Sequence, residues 1–325
     1  MDRRAFLGTL AGGLLAAPLA ADAQPDGKVW RIGLFHVGLD HVPPSLDGLR
    51  EGLKARGYED GKNLRLDWRN LPNEAAAREA AHEFVRQGVD LIVAFESQTV
   101  RAAKAATTKI PIVFLHVTDP VADGFVKSLA HPGSNLTGLG EFFSDLFAKR
   151  VEIFSSVVPR PKALLALTTR EDPLWSRDLQ TAQDVAAAVK VALVVREVTD
   201  RQSIETTFEQ LKPGEVQGVL IVSLTLITKV PSAILEVATR RQLPVAFHRK
   251  EWVERGALFS YGADFRSVGE DAAEYVDRIL KGTPPAALPV RQISRFQFVI
   301  NLKTAKALGL TIPPSLLQRA DRVIE

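Results

Sequence analysis

A chain of 325 residues exceeds what one ordinary core fills, so two lobes are the starting expectation. With 46% hydrophobic and 24% charged residues it lies near the averages of folded soluble proteins, which excludes a disordered or fibrous chain. The net charge of +3 leaves no footprint for nucleic acid, and the absence of cysteine removes disulfides, thiolate nucleophiles, Cys-based metal sites and a lipoprotein anchor.

Residues 1–23 read as a cleavable signal peptide: Arg3 and Arg4 precede an uncharged stretch, which ends in the small-residue sequence Ala21-Asp22-Ala23. Gly8, Gly12, Gly13 and Pro18 weigh against a permanent membrane span. Arg3-Arg4-Ala5-Phe6-Leu7 resembles a twin-arginine signal, with an ordinary Sec signal as the alternative; either route predicts a periplasmic protein. From Trp30 the chain alternates short apolar runs with helical patterns, as parallel sheets flanked by helices do. A strand over 32–35 is followed by a helix face of Leu46, Leu49 and Leu53, then a second of Ala77, Ala80, Ala81, Phe84 and Val85. Strands over 90–95 and 112–116 come next, and near residues 140–143 the pattern shifts after the turn-rich stretch 133–138, which suits a crossover between lobes. Further strands are predicted over 163–167, 191–196, 218–222 and 244–247, and a helix carries Ala272, Ala273, Val276, Ile279 and Leu280. Asn73, Ser97, Asp119, Asp172 and Asp200 are the expected helix caps. About five strands before residue 140 and about five after it make two doubly wound sheets.

Several long blocks, in order, resemble the ABC transporter substrate-binding proteins of the tryptophan-binding-protein-like group. They are Arg50-Glu51-Gly52-Leu53-Lys54-Ala55-Arg56-Gly57-Tyr58, the run from Ile110 through Thr118-Asp119-Pro120-Val121 to Ser134-Asn135-Leu136-Thr137-Gly138, Ser260-Tyr261-Gly262, and the tail from Val299 to Pro313. The resemblance implies an α/β type I periplasmic binding fold: two doubly wound parallel-sheet lobes joined by a three-strand hinge, preceded by the signal peptide. Lobe one takes residues 28–141 and 266–297, and lobe two takes 142–265 and 298–325. It further implies a monomeric solute-binding protein of an ABC importer, with a small-molecule ligand such as an amino acid or other organic solute, and a permease and an ATPase as partners. No cofactor and no membrane anchor are expected.

In doubly wound sheets ligands meet the carboxyl ends of strands. That rule selects His36, Gly38, Ser97, Gln98 and Thr118 in the first lobe and Thr169, Ser223 and His248 in the second. Backbone N–H groups at Ser97 and Gln98 suit a carboxylate, although Ser97 serves equally as an N-cap. Asp264 is placed to pair with an ammonium or to cap the next helix. Phe142, Tyr261 and Trp252 are stacking candidates whose plainer role is core packing. Glu96 is unusual at a strand end. Arg170, Arg249 and Lys250 favour an acidic or phosphorylated ligand unless they are merely solvated. The six histidines show no metal-ligand spacing. No G-x-S-x-G elbow, Walker loop or G-x-G-x-x-G follows a strand, so an enzyme using the cleft is not expected. An exported sensor that delivers its ligand to a membrane receptor stays open as the alternative.

Overall fold

The computed structural model describes residues 27–38, 42–141, 143–158, 161–171, 175–223, 226 and 230–325. The predicted signal segment, Phe142 and Asp172 therefore lie outside the described residues. In chain order the first part holds β1 (Trp30–Val37), α1 (Pro44–Ala55), β2 (Leu64–Leu71), α2 (Glu74–Gln87), β3 (Leu91–Phe95), α3 (Glu96–Ala106), β4 (Ile112–Val117) and β5 (Leu136–Gly140). Next come α4 (Phe143–Val157), β6 (Ala163–Thr168), α5 (Trp175–Ala188), β7 (Ala192–Glu197), α6 (Arg201–Gln210), β8 (Val219–Ile221), α7 (Pro231–Arg240), β9 (Val245–Phe247), α8 (Lys250–Glu254) and β10 (Phe259–Ala263). The chain closes with α9 (Phe265–Leu280), β11 (Arg291–Gln292), β12 (Phe296–Asn301), α10 (Leu302–Ala307), α11 (Pro314–Leu317) and β13 (Arg322–Ile324).

These strands form two sheets, ordered β11-β5-β4-β3-β1-β2 and β13-β12-β10-β9-β8-β6-β7. Each sheet contains the doubly wound order in which the first strand lies between the second and the third, so each has a switch point: between β1 and β3 in one lobe and between β6 and β8 in the other. All ladders are parallel except β10–β12. The central strands β3, β5 and β6 are buried at every position, because helices cover both faces of a parallel sheet. Alternate residues serve opposite faces. Leu91, Val93 and Phe95 pack with α1 and α9, whereas Ile92 and Ala94 pack with Phe84 of α2 and Val100 of α3. In the second lobe Leu164 and Ala166 meet Phe147, Val151 and Phe154 of α4, while Leu165 and Leu167 meet Phe208 and Ile234.

The turn-rich stretch at 133–138 runs directly into a strand. Residues 136–140 are β5, paired in parallel with β4, and the chain crosses only after Gly140. Gly138 belongs in a strand here because a side chain would place its Cβ 2.0 Å from the Phe114 carbonyl oxygen. Two of the expected caps fail. α3 begins at Glu96, so Ser97 lies within its first turn, and Asp119 opens a turn in which its carboxylate accepts the Ala122 N–H. Asn73 and Asp200 do cap α2 and α6, accepting from Ala76 and Ser203.

Three segments pass between the sheets: Glu141 after β5, Asp264 after β10, and 293–295 between β11 and β12. They are tied together, since Ile293 N–H donates to the Gly140 carbonyl and Asp264 N–H to the Arg295 carbonyl, each at 3.0 Å. Among the described residues no helix is long and apolar enough to cross a membrane.

Candidate ligand site

The carboxyl ends of β1, β3 and β4 bring three side chains into a row. The ring of His36 stacks on Phe95 with centroids 3.7 Å apart, Phe95 lies 6.4 Å from His116, and His116 lies 4.5 Å from Phe265 at the start of α9. His36 is 3% exposed, and its Nδ1 accepts the Trp68 indole N–H at 3.3 Å. Glu96 and His116 hold φ of +67° and +58°, a left-handed conformation that costs a non-glycine residue about 1 kcal/mol or more and that persists where surroundings enforce it. At His116 the β4–β5 register shifts, so the strand bulges and re-aims the imidazole. Its Nδ1 lies 2.7 Å from Glu141 Oε1, and both side chains are less than a tenth exposed. Glu141 is itself the first crossing residue, so this pair joins a strand end to the hinge.

Opposite this row stand groups of the second lobe. Arg150 of α4 is 4% exposed and donates to the Tyr261 carbonyl at 3.3 Å. Burial pushes its pKa down to about 10, against the opposing pull of Glu141. Arg249, after β9, lies with its guanidinium 4.7 Å from the Phe265 ring. Arg177 of α5 reaches across: its Nη2 donates to Thr118 Oγ1 at 3.1 Å and its Nη1 lies 3.3 Å from Asp119 Oδ2, while its Nε faces Asp178. Thr118 and Asp119 belong to the first lobe, so Arg177 latches the two lobes together.

Burial shapes the protonation states. The imidazole of His36 is held well below its usual 6.5 by desolvation, with His116 and Arg249 adding repulsion; His248 is lowered by desolvation, then by Arg249, Arg150 and His116. Glu96 is shifted upward by desolvation, partly offset by Arg249 and His116. The histidine shifts give a pH dependence. An unfolded histidine takes up a proton near 6.5 and these folded ones do not, so the unfolded state binds more protons below that value and stability falls on acidification. The loss is about 1.4 kcal/mol per pH unit for each group while the gap lasts. Urea denaturation is therefore expected to give a free energy about 2 kcal/mol lower at about pH 5.5 than at about pH 7.5. An equal or higher value at the acidic end contradicts the assignment.

The sequence-selected residues divide into three groups. His36, Thr118 and His248 lie at the facing edges, and Asp264 sits beside His248 and Phe265 in a small groove where it accepts from Ser267 Oγ. Gly38 follows β1 with φ +73°, and its N–H donates to the Leu71 carbonyl. Ser97 and Gln98 occupy the first turn of α3, and the Ser97 hydroxyl donates to Asp123 at 2.8 Å. Thr169 and Ser223 flank the second switch point but engage each other: the Ser223 hydroxyl accepts the Thr169 N–H at 3.1 Å and lies 3.0 Å from Thr168 Oγ1. The Tyr261 ring stacks on Phe296 inside the second lobe, and Trp252 stacks on Phe247. Phe142 lies outside the described residues.

Sequence reasoning missed His116, Glu141, Arg150 and Arg177. A signal existed only for His116, which ends an apolar strand; the two arginines sit within helices, where no local pattern separates them from solvated charge. Among the described residues no cluster of three His, Asp or Glu side chains is arranged to hold a metal ion.

The ABC transporter substrate binding protein family matches residues 35–324. The chain belongs to that family. A tyrosine-binding protein from Clostridioides difficile (strain R20291) is 28% identical over 272 residues, covering 82% of this chain and 78% of the relative. A conserved domain protein from Vibrio cholerae is 29% identical with a TM-score of 0.81, over 91% of this chain and all of that one. At the same coverages, the structure of an ABC domain in complex with L-Trp from Streptococcus pneumoniae has a TM-score of 0.80; at 24% identity it supports the shared fold.

Proposed function

We propose that this family member captures a small solute between its lobes, closes about the three crossing segments, and presents the closed form to the permease of an ABC importer in the periplasm, after removal of residues 1–23. Polar atoms at the facing edges carry this reading. Among the described residues, the buried side-chain polar atoms without a hydrogen-bond partner include His116 Nε2, His248 Nδ1 and Arg249 Nε at the strand ends and Glu251 Oε2 in α8 directly after them. Leaving such a group unmet costs about 1–3 kcal/mol, so clustering them between two hinged bodies is costly for a purely structural core and useful for a binding cleft. Closure then amounts to a shift in an open–closed equilibrium, stabilised by solute that touches both jaws.

The test is a thermal-shift screen of the purified protein against amino acids, organic acids, sugars, purines and amines. A stabilising solute that is recovered unchanged is the expected result. Chemical conversion of the solute, or no stabilisation by any class, contradicts the reading.

The latch yields a second expectation. Arg177→Ala removes the partly exposed contacts to Thr118 and Asp119 that join the lobes, worth about 1 kcal/mol, together with the pair to Asp178 of its own helix. Because only the closed fraction holds solute tightly, affinity should weaken about fivefold by calorimetry, and loss of the Asp178 pair should lower the melting temperature as well. An unaltered affinity removes Arg177 from the closure mechanism.

A further inference from the structure

Trp68 lies on β2, the outer edge strand of the first lobe, opposite Leu34 in a parallel register that sets His36 two residues further along the same face of β1. Side chains lean along a strand, so the indole reaches the carboxyl end of β1. Its N–H donates to His36 Nδ1 at 3.3 Å, with the two rings edge-on at 70°. We propose that Trp68 is a positioning residue for the cleft: its indole N–H holds His36 as the uncharged imidazole with the proton on Nε2, so that β1 ends in one fixed N–H donor. The placement of the proton stands by itself, and its use as a contact rests on the solute-capture reading.

An indole N–H only donates, so the ring nitrogen that it meets must be bare. With Nδ1 bare, the single proton of a neutral imidazole sits on Nε2. An imidazolium would turn a second N–H against the indole N–H and leave both without an acceptor, at a histidine that is 3% exposed. Turning the ring over would bring Cδ2–H to the indole, with the same loss. Phe95 of β3 fixes the plane in which the ring lies, stacked 3.7 Å away at 27°. The surrounding charges act in the same direction, since His116 of β4 and Arg249 of the second lobe both oppose a positive charge on His36, in addition to desolvation. Asn70, its neighbour across the β1–β2 ladder, is neutral.

β1 borders the first switch point, where doubly wound folds take their ligands. An ordinary histidine there would change its charge near about pH 6.5 and exchange an acceptor for a donor as it did so. His36 is kept from both changes by a residue on the far edge of the sheet. Trp68 touches no solute in this scheme and acts only through His36. A role confined to packing would need its rings alone, and the hydrogen bond separates the two roles.

Nitrogen-15 NMR of the imidazole rings in the purified protein reads the proton directly, with His36 assigned from the signal lost in His36→Gln. His36 is expected to show a bare Nδ1 and a protonated Nε2 at about pH 7.5 and again at about pH 5.5, where a free histidine carries both protons. Trp68→Phe keeps an aromatic ring on β2 without the donor. It should shift the Nδ1 resonance to that of an unbonded nitrogen and leave the signals of the exposed His82 and His131 in place. A proton on Nδ1 of the wild type at either pH, or an Nδ1 resonance indifferent to Trp68→Phe, overturns the proposal. Calorimetry with L-leucine, L-tryptophan, succinate, glucose and adenine then tests the use of the donor. For a probe that binds, Trp68→Phe should weaken affinity at least about threefold, but less than about twofold in a His36→Gln background, whose amide N–H stands near the Nε2 position without help from the indole. Equal losses in the two backgrounds would make Trp68 a packing residue and overturn its positioning role. If no probe binds, the capture reading fails while the spectra still decide where the proton sits.

Discussion

Gly48→Ala and Gly269→Ala are each expected to destabilise the protein by about 3 kcal/mol, the upper part of the overpacking range. Both glycines lie in the seam where α1 crosses α9. A Cβ on Gly48 would sit 1.9 Å from the Arg266 carbonyl oxygen, and one on Gly269 would sit 2.0 Å from the Ser45 carbonyl oxygen and 2.6 Å from the Leu49 nitrogen. These neighbours are backbone on both sides, so no side chain can swing aside. Alanine gains about 1 kcal/mol of helix propensity over glycine, which is too little to offset a separation of the helices. Phe265 opens α9 and walls the cleft, so solute affinity should fall together with stability. Urea denaturation checks the first effect; a loss under about 1 kcal/mol for either variant would show that the seam yields more easily than its backbone contacts imply.

Glu141→Gln should also destabilise the protein, for an electrostatic reason. The glutamine still accepts a hydrogen bond from His116 but no longer offsets the buried charge of Arg150, whose guanidinium is 4% exposed and is already pushed down to about 10 by desolvation. Glu141 acts on Arg150 through space and not as an ion pair in contact, so the loss falls below the ~3–5 kcal/mol of a broken buried pair. The single variant is therefore expected to lose about 2 kcal/mol, and Glu141→Gln with Arg150→Met, which keeps the His116 bond and removes the uncompensated charge, to recover most of it. If the single substitution is silent, Glu141 is not what holds Arg150 in the cleft wall.

Most of the fold was legible where burial leaves a continuous apolar run. β3, β4 and β6 read directly from Leu91–Phe95, Ile112–Val117 and Ala163–Thr168 because both of their faces are covered. β2 was not, since it is an edge strand whose residues Leu64–Leu71 include Arg65, Asp67, Arg69 and Asn70 in half-exposed positions. β10 and β12 share an antiparallel ladder that the repeated strand-helix rhythm gave no reason to expect. Gly138 was misread because a glycine in a strand and a glycine in a turn look alike until the close approach of Phe114 is known. The site was legible at strand termini, where topology fixes the edge on which a residue falls: His36, Thr118 and His248 followed from that rule. Arg150 and Arg177 did not, because each projects from a helix body and reaches the cleft only through the way the lobes are stacked.

Closure around a bound solute is the central event. Small-angle X-ray scattering on the purified protein, with and without the solute found by screening, tests it most directly. A radius of gyration that falls on saturation, and that falls less for Arg177→Ala, is the predicted result; a solute that binds tightly while the scattering profile stays the same would mean that it sits elsewhere on a rigid molecule.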